Sequence, residues 1–232
     1  MKEFIDIIKQ NRFFYSLNLV LIVLIAFVLS LSKRVDGFIW LNQFHTKFLN
    51  FIFEGITFLG DGWFCILIAL YLAIFSKRHK KLALIIVVAY LNSGIFSQLI
   101  KNIIVAPRPK VYFEMHHLKY YLDTFATSRI GFNSFPSGHT ASFFALVTVL
   151  SNYCKKRQLC FFLILLSIVV GYTRIYLGHH FLIDVFFGAI IGIVFGTFSI
   201  IWVEKTKEIP IVKYRLNVFK KRKSYPNPNF SH

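Results

Sequence analysis

Long runs of apolar residues, separated by short polar or basic segments, dominate this chain. A helix that crosses the hydrocarbon core of a bilayer needs about 20 predominantly apolar residues. Such runs, two of them shorter but closed by charged or polar residues, cover residues 13–32, 56–76, 82–104, 140–153, 159–172 and 181–203. They are too long and too continuous for the alternating strands of a membrane barrel. The pattern predicts an all-α fold, a six-transmembrane-helix bundle.

The same pattern divides the chain into two parts. Residues 1–203 form the predicted membrane domain, which contains all six apolar runs. Residues 204–232 are polar and basic and include Pro226 and Pro228. A terminal segment of this composition has few apolar groups with which to dock, so we expect a flexible tail.

Composition supports a membrane protein. Of the 232 residues, 56% are hydrophobic and only 16% are charged, against roughly a quarter charged in soluble domains. This excludes a disordered chain and an ordinary water-soluble globule. The formal net charge of +17 would suggest nucleic acid in a soluble protein. Beside so many apolar residues it indicates membrane lipids with anionic headgroups as partners, and we expect no nucleic acid.

The basic residues also predict an orientation. They concentrate in the N-terminal segment, in the loops at 77–81 and 155–157, and in the tail. In a six-span arrangement these four segments lie on one side of the membrane, which the positive-inside rule makes cytoplasmic. We therefore expect both termini in the cytoplasm of a bacterium, and the other three connections at the extracytoplasmic face of its inner membrane.

Three clusters of polar residues fall in those extracytoplasmic connections. The first runs from Lys101 to Arg108 and Pro109, the second is Pro136-Ser137-Gly138-His139, and the third contains Arg174, His180 and Asp184. The orientation was inferred from the basic loops on the cytoplasmic side, without reference to these clusters. That all three clusters nevertheless fall on the extracytoplasmic side indicates that they build one site.

The residue types in the clusters suit a phosphate group. Arg108 and Arg174 have planar guanidinium groups that match phosphate oxygens, and Lys101 adds a point charge. Each cation alone could equally extend its charge into the lipid headgroups. Ser137 is a good N-cap. Gly138 would allow an anion to approach the free N–H groups of a helix start, although a cap without a ligand is the simpler alternative.

The histidines are the candidate reactive groups. His180 and Asp184 are four residues apart, so a helix would place them on one face, where the carboxylate accepts the Nδ1–H and leaves Nε2 as a nucleophile. His139 could donate a proton to a leaving oxygen. His179 would point about 100° away from His180 on that helix, in a structural or substrate-proximal position. No residues show metal-ligand spacing, so we expect neither a metal nor another cofactor.

The clusters resemble the motifs of the type 2 phosphatidic acid phosphatase family, which is related to the vanadium haloperoxidases. That family has K-x6-R-P, then P-S-G-H, then S-R-x5-H-x3-D, and this chain matches each spacing. Thr173 stands where the family has Ser, and it keeps a hydroxyl group. The resemblance implies a metal-independent phosphatase acting on lipid phosphates or diphosphates.

The family's roles can be carried over residue by residue. The resemblance implies that His180 attacks phosphorus to form a phosphohistidine, that Asp184 orients it, and that His139 protonates the leaving oxygen. It also implies a set of ligands for the phosphoryl oxygens, namely Lys101, Arg108, Ser137, Gly138 and Arg174. These roles agree with those inferred from the residue types alone.

Several alternatives stay open at this point. The same site could transfer the phosphoryl group to another lipid instead of water. A haloperoxidase shares the oxyanion pocket, but six membrane spans argue against it. A transporter or sensor of phosphorylated lipids would keep the cations without needing both histidines and Asp184. For a phosphatase, the candidate substrates are undecaprenyl diphosphate, phosphatidylglycerol phosphate, phosphatidic acid and lipid A. The aromatic-rich loop at 110–135 would shape an entrance for the headgroup.

Overall fold

The computed structural model describes residues 2–120 and 130–206, and the regular structure within them is helical. The ten α-helices of these residues are α1 (Lys2–Gln10), α2 (Arg12–Leu31), α3 (Arg34–Asn42), α4 (Lys47–Thr57), α5 (Gly62–Phe75), α6 (Lys80–Ile103), α7 (Pro109–Met115), α8 (Gly138–Cys154), α9 (Arg157–Tyr176) and α10 (Leu182–Thr206). Short 3-10 helices, Phe58–Gly60 and Lys77–His79, precede α5 and α6. Within the described ranges there is no strand, which confirms the all-α class.

Within residues 2–120 and 130–206, four helices are long and apolar enough to cross a bilayer: α2, α6 with its preceding 3-10 turn, α9 and α10. The pair formed by α4 with its 3-10 turn and α5 is also long and apolar enough when taken together, but it bends by 57° at Asp61, as a broken span or a re-entrant loop does. The fourth predicted span, α8, has 17 residues, or about 26 Å at the helical rise. Length and composition thus support four or five crossings, and the sixth stays a prediction.

The centre of the bundle is α8. Every residue from Thr140 to Val149 is buried, because α6, α9, α10 and α5 pack around this helix. By contrast, α2 lies at the periphery and exposes large apolar side chains along its length, among them Leu19, Val23, Phe27 and Leu31. An apolar outer face of this kind suits contact with lipid chains.

A stripe of glycines allows α8 and α10 to approach closely. Gly188, Gly192 and Gly196 recur every four residues on the side of α10 that faces α8. A Cβ atom at Gly192 would lie 2.5 Å from both the carbonyl oxygen of Ala141 and the Cβ of Phe144. Small residues at such spacing let helix backbones meet in membranes, where packing rather than hydrophobicity drives association.

The same approach aligns the first turns of the two helices. A Cβ at Gly188 would lie 2.6 Å from the carbonyl oxygen of Ser137. The Ser137 N–H donates a hydrogen bond of 2.9 Å to the carbonyl of Asp184. The starts of α8 and α10 therefore lie side by side at one end of the bundle, with the second and third motifs together.

Two sequence-based expectations fall partly outside the described residues. The helix α10 continues to Thr206, slightly beyond the predicted end of the membrane domain, and the rest of the predicted tail, residues 207–232, is not described. In the predicted aromatic loop, α7 occupies Pro109–Met115, and residues 121–129 are not described.

The glycine stripe generates a stability prediction. Gly192→Ala should lower the thermal unfolding midpoint in detergent, because overpacking a tight contact costs about 1–3 kcal/mol. Gly94→Ala in α6 is the matched control, since nothing lies within 4 Å of a Cβ at Gly94 and alanine favours a helix more than glycine does. The midpoint of this control should stay the same or rise. Equal midpoints for the two variants would contradict the close contact.

Candidate active site

The three polar clusters meet at the end of the bundle where α8 and α10 begin. Arg108 of the first cluster donates a hydrogen bond of 3.1 Å from Nη1 to the carbonyl of His179, next to the third cluster's His180. The backbone contact between Ser137 and Asp184 joins the second to the third. The sequence placed these clusters on one side of the membrane, and the fold brings them into contact.

Asp184 is the central buried group. It lies in the first turn of α10 with no exposed surface. Its Oδ2 accepts a hydrogen bond of 2.5 Å from the Ser134 hydroxyl and one of 2.9 Å from the N–H of Phe181. The second bond is the N3-to-N-cap half of a capping box. Because a buried carboxylate needs such donors to replace water, these contacts define the orientation of Asp184.

His180 lies close to Asp184 as predicted, but it is in a turn and not in a helix. Its Nδ1 lies 3.5 Å from Asp184 Oδ2, but the two residues do not share a helical face, because α10 begins only at Leu182. Gly178, with φ of +65°, lets the chain turn after α9. The N–H groups of His179 and His180 then both bond to the carbonyl of Arg174. The helical placement of His179 and His180 was therefore wrong, although the predicted pair is close.

The surroundings of His180 favour its neutral form. Burial lowers the pKa of His180 to about 3, although the hydrogen bonding and negative charge of Asp184 act in the opposite direction. The positive charges of Arg174 and Arg108 lower this pKa further. A neutral imidazole has a lone pair available for attack, as a nucleophile requires.

Asn133 positions two of the cations. Its Oδ1 accepts a hydrogen bond of 2.8 Å from Arg108 Nε, and its carbonyl accepts one of 2.7 Å from Lys101 Nζ. Arg108 is buried, whereas Lys101 is half-buried. Asn133 and Ser134 were not predicted from the sequence, because short polar residues before a proline look like ordinary turn residues.

The guanidinium of Arg174 is also held in place. This side chain is 1% exposed, and its Nη1 donates a 2.5 Å hydrogen bond to the hydroxyl of Thr57. Its Nη2 makes a short hydrogen bond to Nδ1 of His179. Thr173, the residue that departs from the family pattern, is buried and donates its hydroxyl to the carbonyl of Val170 within α9. His179 thus serves to hold Arg174.

The second cluster forms the start of α8. Ser137 is the N-cap as expected, and its Oγ accepts hydrogen bonds from the N–H and the hydroxyl of Thr140. Nothing lies within 4 Å of a Cβ built at Gly138, so there is open space in front of it. The half-buried His139 packs under the 3-10 turn, and a Cβ at Gly60 would lie 3.0 Å from its Cβ. Contact of Ser137 and Gly138 with phosphate stays a prediction.

A clamp from α3 secures the turn that carries His180. The buried Asn42 donates hydrogen bonds of 2.7 and 2.9 Å from Nδ2 to the carbonyls of Ile175 and Tyr176. These are among the last carbonyls of α9, which lack partners within the helix. His45 Nε2 lies 2.8 Å from Asn42 Oδ1 and completes the clamp. Asn42 was not predicted from the sequence, because its partners lie more than 130 residues away.

Curated proteins resemble about half of this chain. The chain is 34% identical over 133 residues to the "Probable lipid phosphate phosphatase 4" of Arabidopsis thaliana, covering 47% of this chain and 43% of the relative. It is 29% identical over 138 residues to the "Lipid A 4'-phosphatase" of Porphyromonas gingivalis, covering 59% and 58%. The chain therefore spans about half the length of the curated relatives it matches.

A solved structure has the same fold. The crystal structure of Aquifex aeolicus LpxE aligns with a TM-score of 0.59 at 28% sequence identity, covering 73% of this chain and 95% of that one. The model of the PAP2 superfamily matches residues 82–208, a segment that contains all three motifs and more than half of the chain. This chain belongs to the PAP2 superfamily, as the spacing of its motifs indicated.

Proposed function

We propose that this protein is a metal-independent phosphatase that removes a phosphate group from a membrane lipid through a phosphohistidine intermediate. The observation that carries the proposal is the buried His180, whose Nδ1 lies 3.5 Å from Asp184 Oδ2, with Arg108 and Arg174 close enough to lower its pKa. Family membership and the two lipid phosphatases among its relatives support the choice of reaction.

In the first step, Nε2 of His180 attacks the phosphorus atom. The bond from phosphorus to the leaving oxygen breaks as the new P–N bond forms, and His139 donates a proton to that oxygen. Asp184 accepts the Nδ1–H and stabilises the positive charge that develops on the ring. Its three contacts, with Ser134, Phe181 and His180, position it for this role.

In the second step, water hydrolyses the phosphohistidine. His139, now neutral, takes a proton from the water as its oxygen attacks phosphorus, and the P–N bond breaks. Inorganic phosphate leaves, and His180 returns to its neutral form. Each histidine thus ends the cycle in the state in which it began.

The cations stabilise the charge on the transferring phosphoryl group. Lys101, Arg108 and Arg174 surround the site, with the N–H of Gly138 and the Ser137 turn completing it. Fixed cations and N–H donors act strongly at a buried site, because little solvent has to reorganise there. These three side chains supply the positive charge that a metal ion provides in other phosphoryl-transfer sites.

The proposed substrate is a lipid phosphate of a bacterial envelope, and the relative from Porphyromonas gingivalis favours a lipid A phosphate. The proposal includes six crossings, with α8 as the sixth, and places the site at the extracytoplasmic face of the inner membrane. The basic loops at 77–81 and 155–157 support this orientation, since they lie at the ends of α5 and α8 that are remote from the site.

The reaction can be tested by measuring release of inorganic phosphate from the purified protein in detergent with EDTA present. The panel contains lipid A, undecaprenyl diphosphate, phosphatidylglycerol phosphate and phosphatidic acid. We expect release from at least one lipid, at a rate that EDTA does not change. Transfer of the phosphoryl group to an added lipid, without free phosphate, would identify a transferase. Lipid binding without any turnover would identify a binding protein or transporter.

The nucleophile and its partner generate a second prediction. His180→Ala should abolish phosphate release, and Asp184→Asn should reduce kcat by orders of magnitude because the tautomer and the charge are both lost. Rapid quenching of wild-type protein with radiolabelled substrate should trap an acid-labile phosphoprotein that His180→Ala does not form. His117→Ala, which removes an exposed histidine, is the matched control. Full activity of His180→Ala would exclude the mechanism.

The hydrogen bond from Ser134 generates a third prediction. Ser134→Ala should lower kcat by about tenfold or more, since a hydrogen bond to a charged group contributes about 1.5–3 kcal/mol. KM should change little, because Ser134 acts through Asp184. Ser30→Ala is the control, since Ser30 is exposed and bonds only to the carbonyl of Phe27 within α2. An unchanged kcat in Ser134→Ala would show that this bond does not support catalysis.

A further inference from the structure

A pocket lies where α2 ends and where α3 and α10 begin. Its volume is about 390 Å³, within the range of pockets that bind small molecules. Two cations, Lys33 and Arg34, line one part of it. Apolar side chains line most of the rest, including Leu29, Ile104 and Phe187. We call this space the α2–α3 pocket.

The order of these groups matches that of a phospholipid. Leu29 lies in the last turn of the span α2, and Phe187 lies in the second turn of the span α10. Phe187 and Ile104 remain 39% and 45% exposed on the outside of the bundle. Lys33 and Arg34 come just after the end of α2, where a span reaches the headgroup layer. A charged headgroup would meet the two cations while its chain followed the apolar wall.

Arg34 is arranged to receive an anion. Its guanidinium carbon lies 3.9 Å from the ring centre of Phe181 and 5.0 Å from that of Tyr112. Such stacking orients the guanidinium plane. Its Nε is buried and has no hydrogen-bond partner among the described residues. A buried N–H normally has an acceptor, and a phosphate oxygen entering the pocket would supply one.

A nearby carboxylate restricts the charge of that anion. Asp184 forms part of the pocket wall. Burial lowers the pKa of Arg34, and the negative charge of Asp184 opposes this effect. Two cations that line the pocket together with one carboxylate favour a singly charged phosphodiester over a doubly charged phosphate monoester, which Asp184 would repel more strongly.

The pocket is separate from the position of the reacting phosphate. Among its lining residues in the described part of the chain, Asp184 is the one member of the predicted site. Asp184 faces Nδ1 of His180, whereas the substrate phosphorus must approach Nε2, on the other side of the ring. The α2–α3 pocket therefore borders Asp184 but not His180.

We propose that the α2–α3 pocket binds a resident glycerophospholipid, distinct from the substrate, whose phosphodiester contacts Lys33 and Arg34 and one of whose chains lies against Leu29 and Phe187. This lipid supports turnover through Phe181. The ring of Phe181 packs on Arg34, and its N–H donates to Asp184. A lipid that fixes Arg34 therefore also restricts the motion of Phe181 and of the turn that carries His180. The effect on turnover rests on the proposed function, but the binding does not.

Binding can be measured on the full chain in a non-ionic detergent with fluorescent dioleoyl phosphatidylglycerol and dioleoyl phosphatidylcholine. We expect one site that binds phosphatidylglycerol about tenfold more tightly, since Lys33 and Arg34 attract its net negative charge, whereas phosphatidylcholine is zwitterionic. Arg34→Gln should lose this preference. Arg78→Gln, which removes an exposed cation at the other end of the bundle, should keep it.

Further measurements separate the possible outcomes. Leu29→Trp, which fills the apolar part of the pocket, should weaken binding of phosphatidylglycerol although both cations remain. Equal affinities for the two lipids, or wild-type affinity in Arg34→Gln, would overturn the proposal. Displacement of phosphatidylglycerol by excess inorganic phosphate would also overturn it, because the lipid would then occupy the reaction site. Thermal unfolding midpoints would show whether each variant is folded.

The activity measurement uses the same lipids. Phosphatidylglycerol is a phosphodiester and therefore not a substrate of the proposed reaction. Adding it should raise kcat of the wild-type protein several-fold and should not change kcat of Arg34→Gln. An equal response of both proteins would contradict the coupling through Phe181. Absence of phosphate release in every lipid, with selective binding retained, would count against the proposed function but not against the lipid site.

Discussion

The burial of Asp184 is the constraint on which the rest of this structure depends. A carboxylate without exposed surface is stable only where donors and positive charge replace water. Here the donors come from Ser134, before α8, and from Phe181, at the start of α10, with His180 beside them. The loop, the turn and both helix starts must therefore occupy defined positions. The requirement that keeps Asp184 stable also orients the imidazole.

Helix packing meets this requirement through small residues. The glycine stripe of α10 brings its backbone against α8, and the backbone bond from Ser137 to Asp184 aligns their first turns. At the same end, Asn42 caps the carbonyls of α9 just before the chain turns toward His180. The contacts that stabilise the bundle and those that position the reactive groups are thus largely the same, which keeps the site rigid within a lipid environment.

The electrostatics of the site follow from the same architecture. The acceptors that hold Arg108 and Arg174 include an amide, a backbone carbonyl and a hydroxyl. Neutral acceptors orient a guanidinium without cancelling its charge, so the charge can act on an incoming phosphate. Arg34 extends this arrangement to the opposite side of Asp184, where the cation faces an apolar pocket. Asp184 therefore lies between the proposed reaction site and the pocket proposed to bind a second lipid.

The sequence by itself determined the helical class, the apolar spans that reappear as α2, α6, α9 and α10, the Ser137 cap and the three motifs. Each is a local property, set by the length of an apolar run or the spacing of neighbouring residues. Tertiary structure alone decided the parts played by Ser134, Asn133, Asn42 and Arg34. It also replaced the expected helix at His180 with a turn at Gly178. These features depend on contacts between segments far apart in the chain, for which local pattern carries no signal, because a buried polar group is satisfied by whichever donor the packing brings to it.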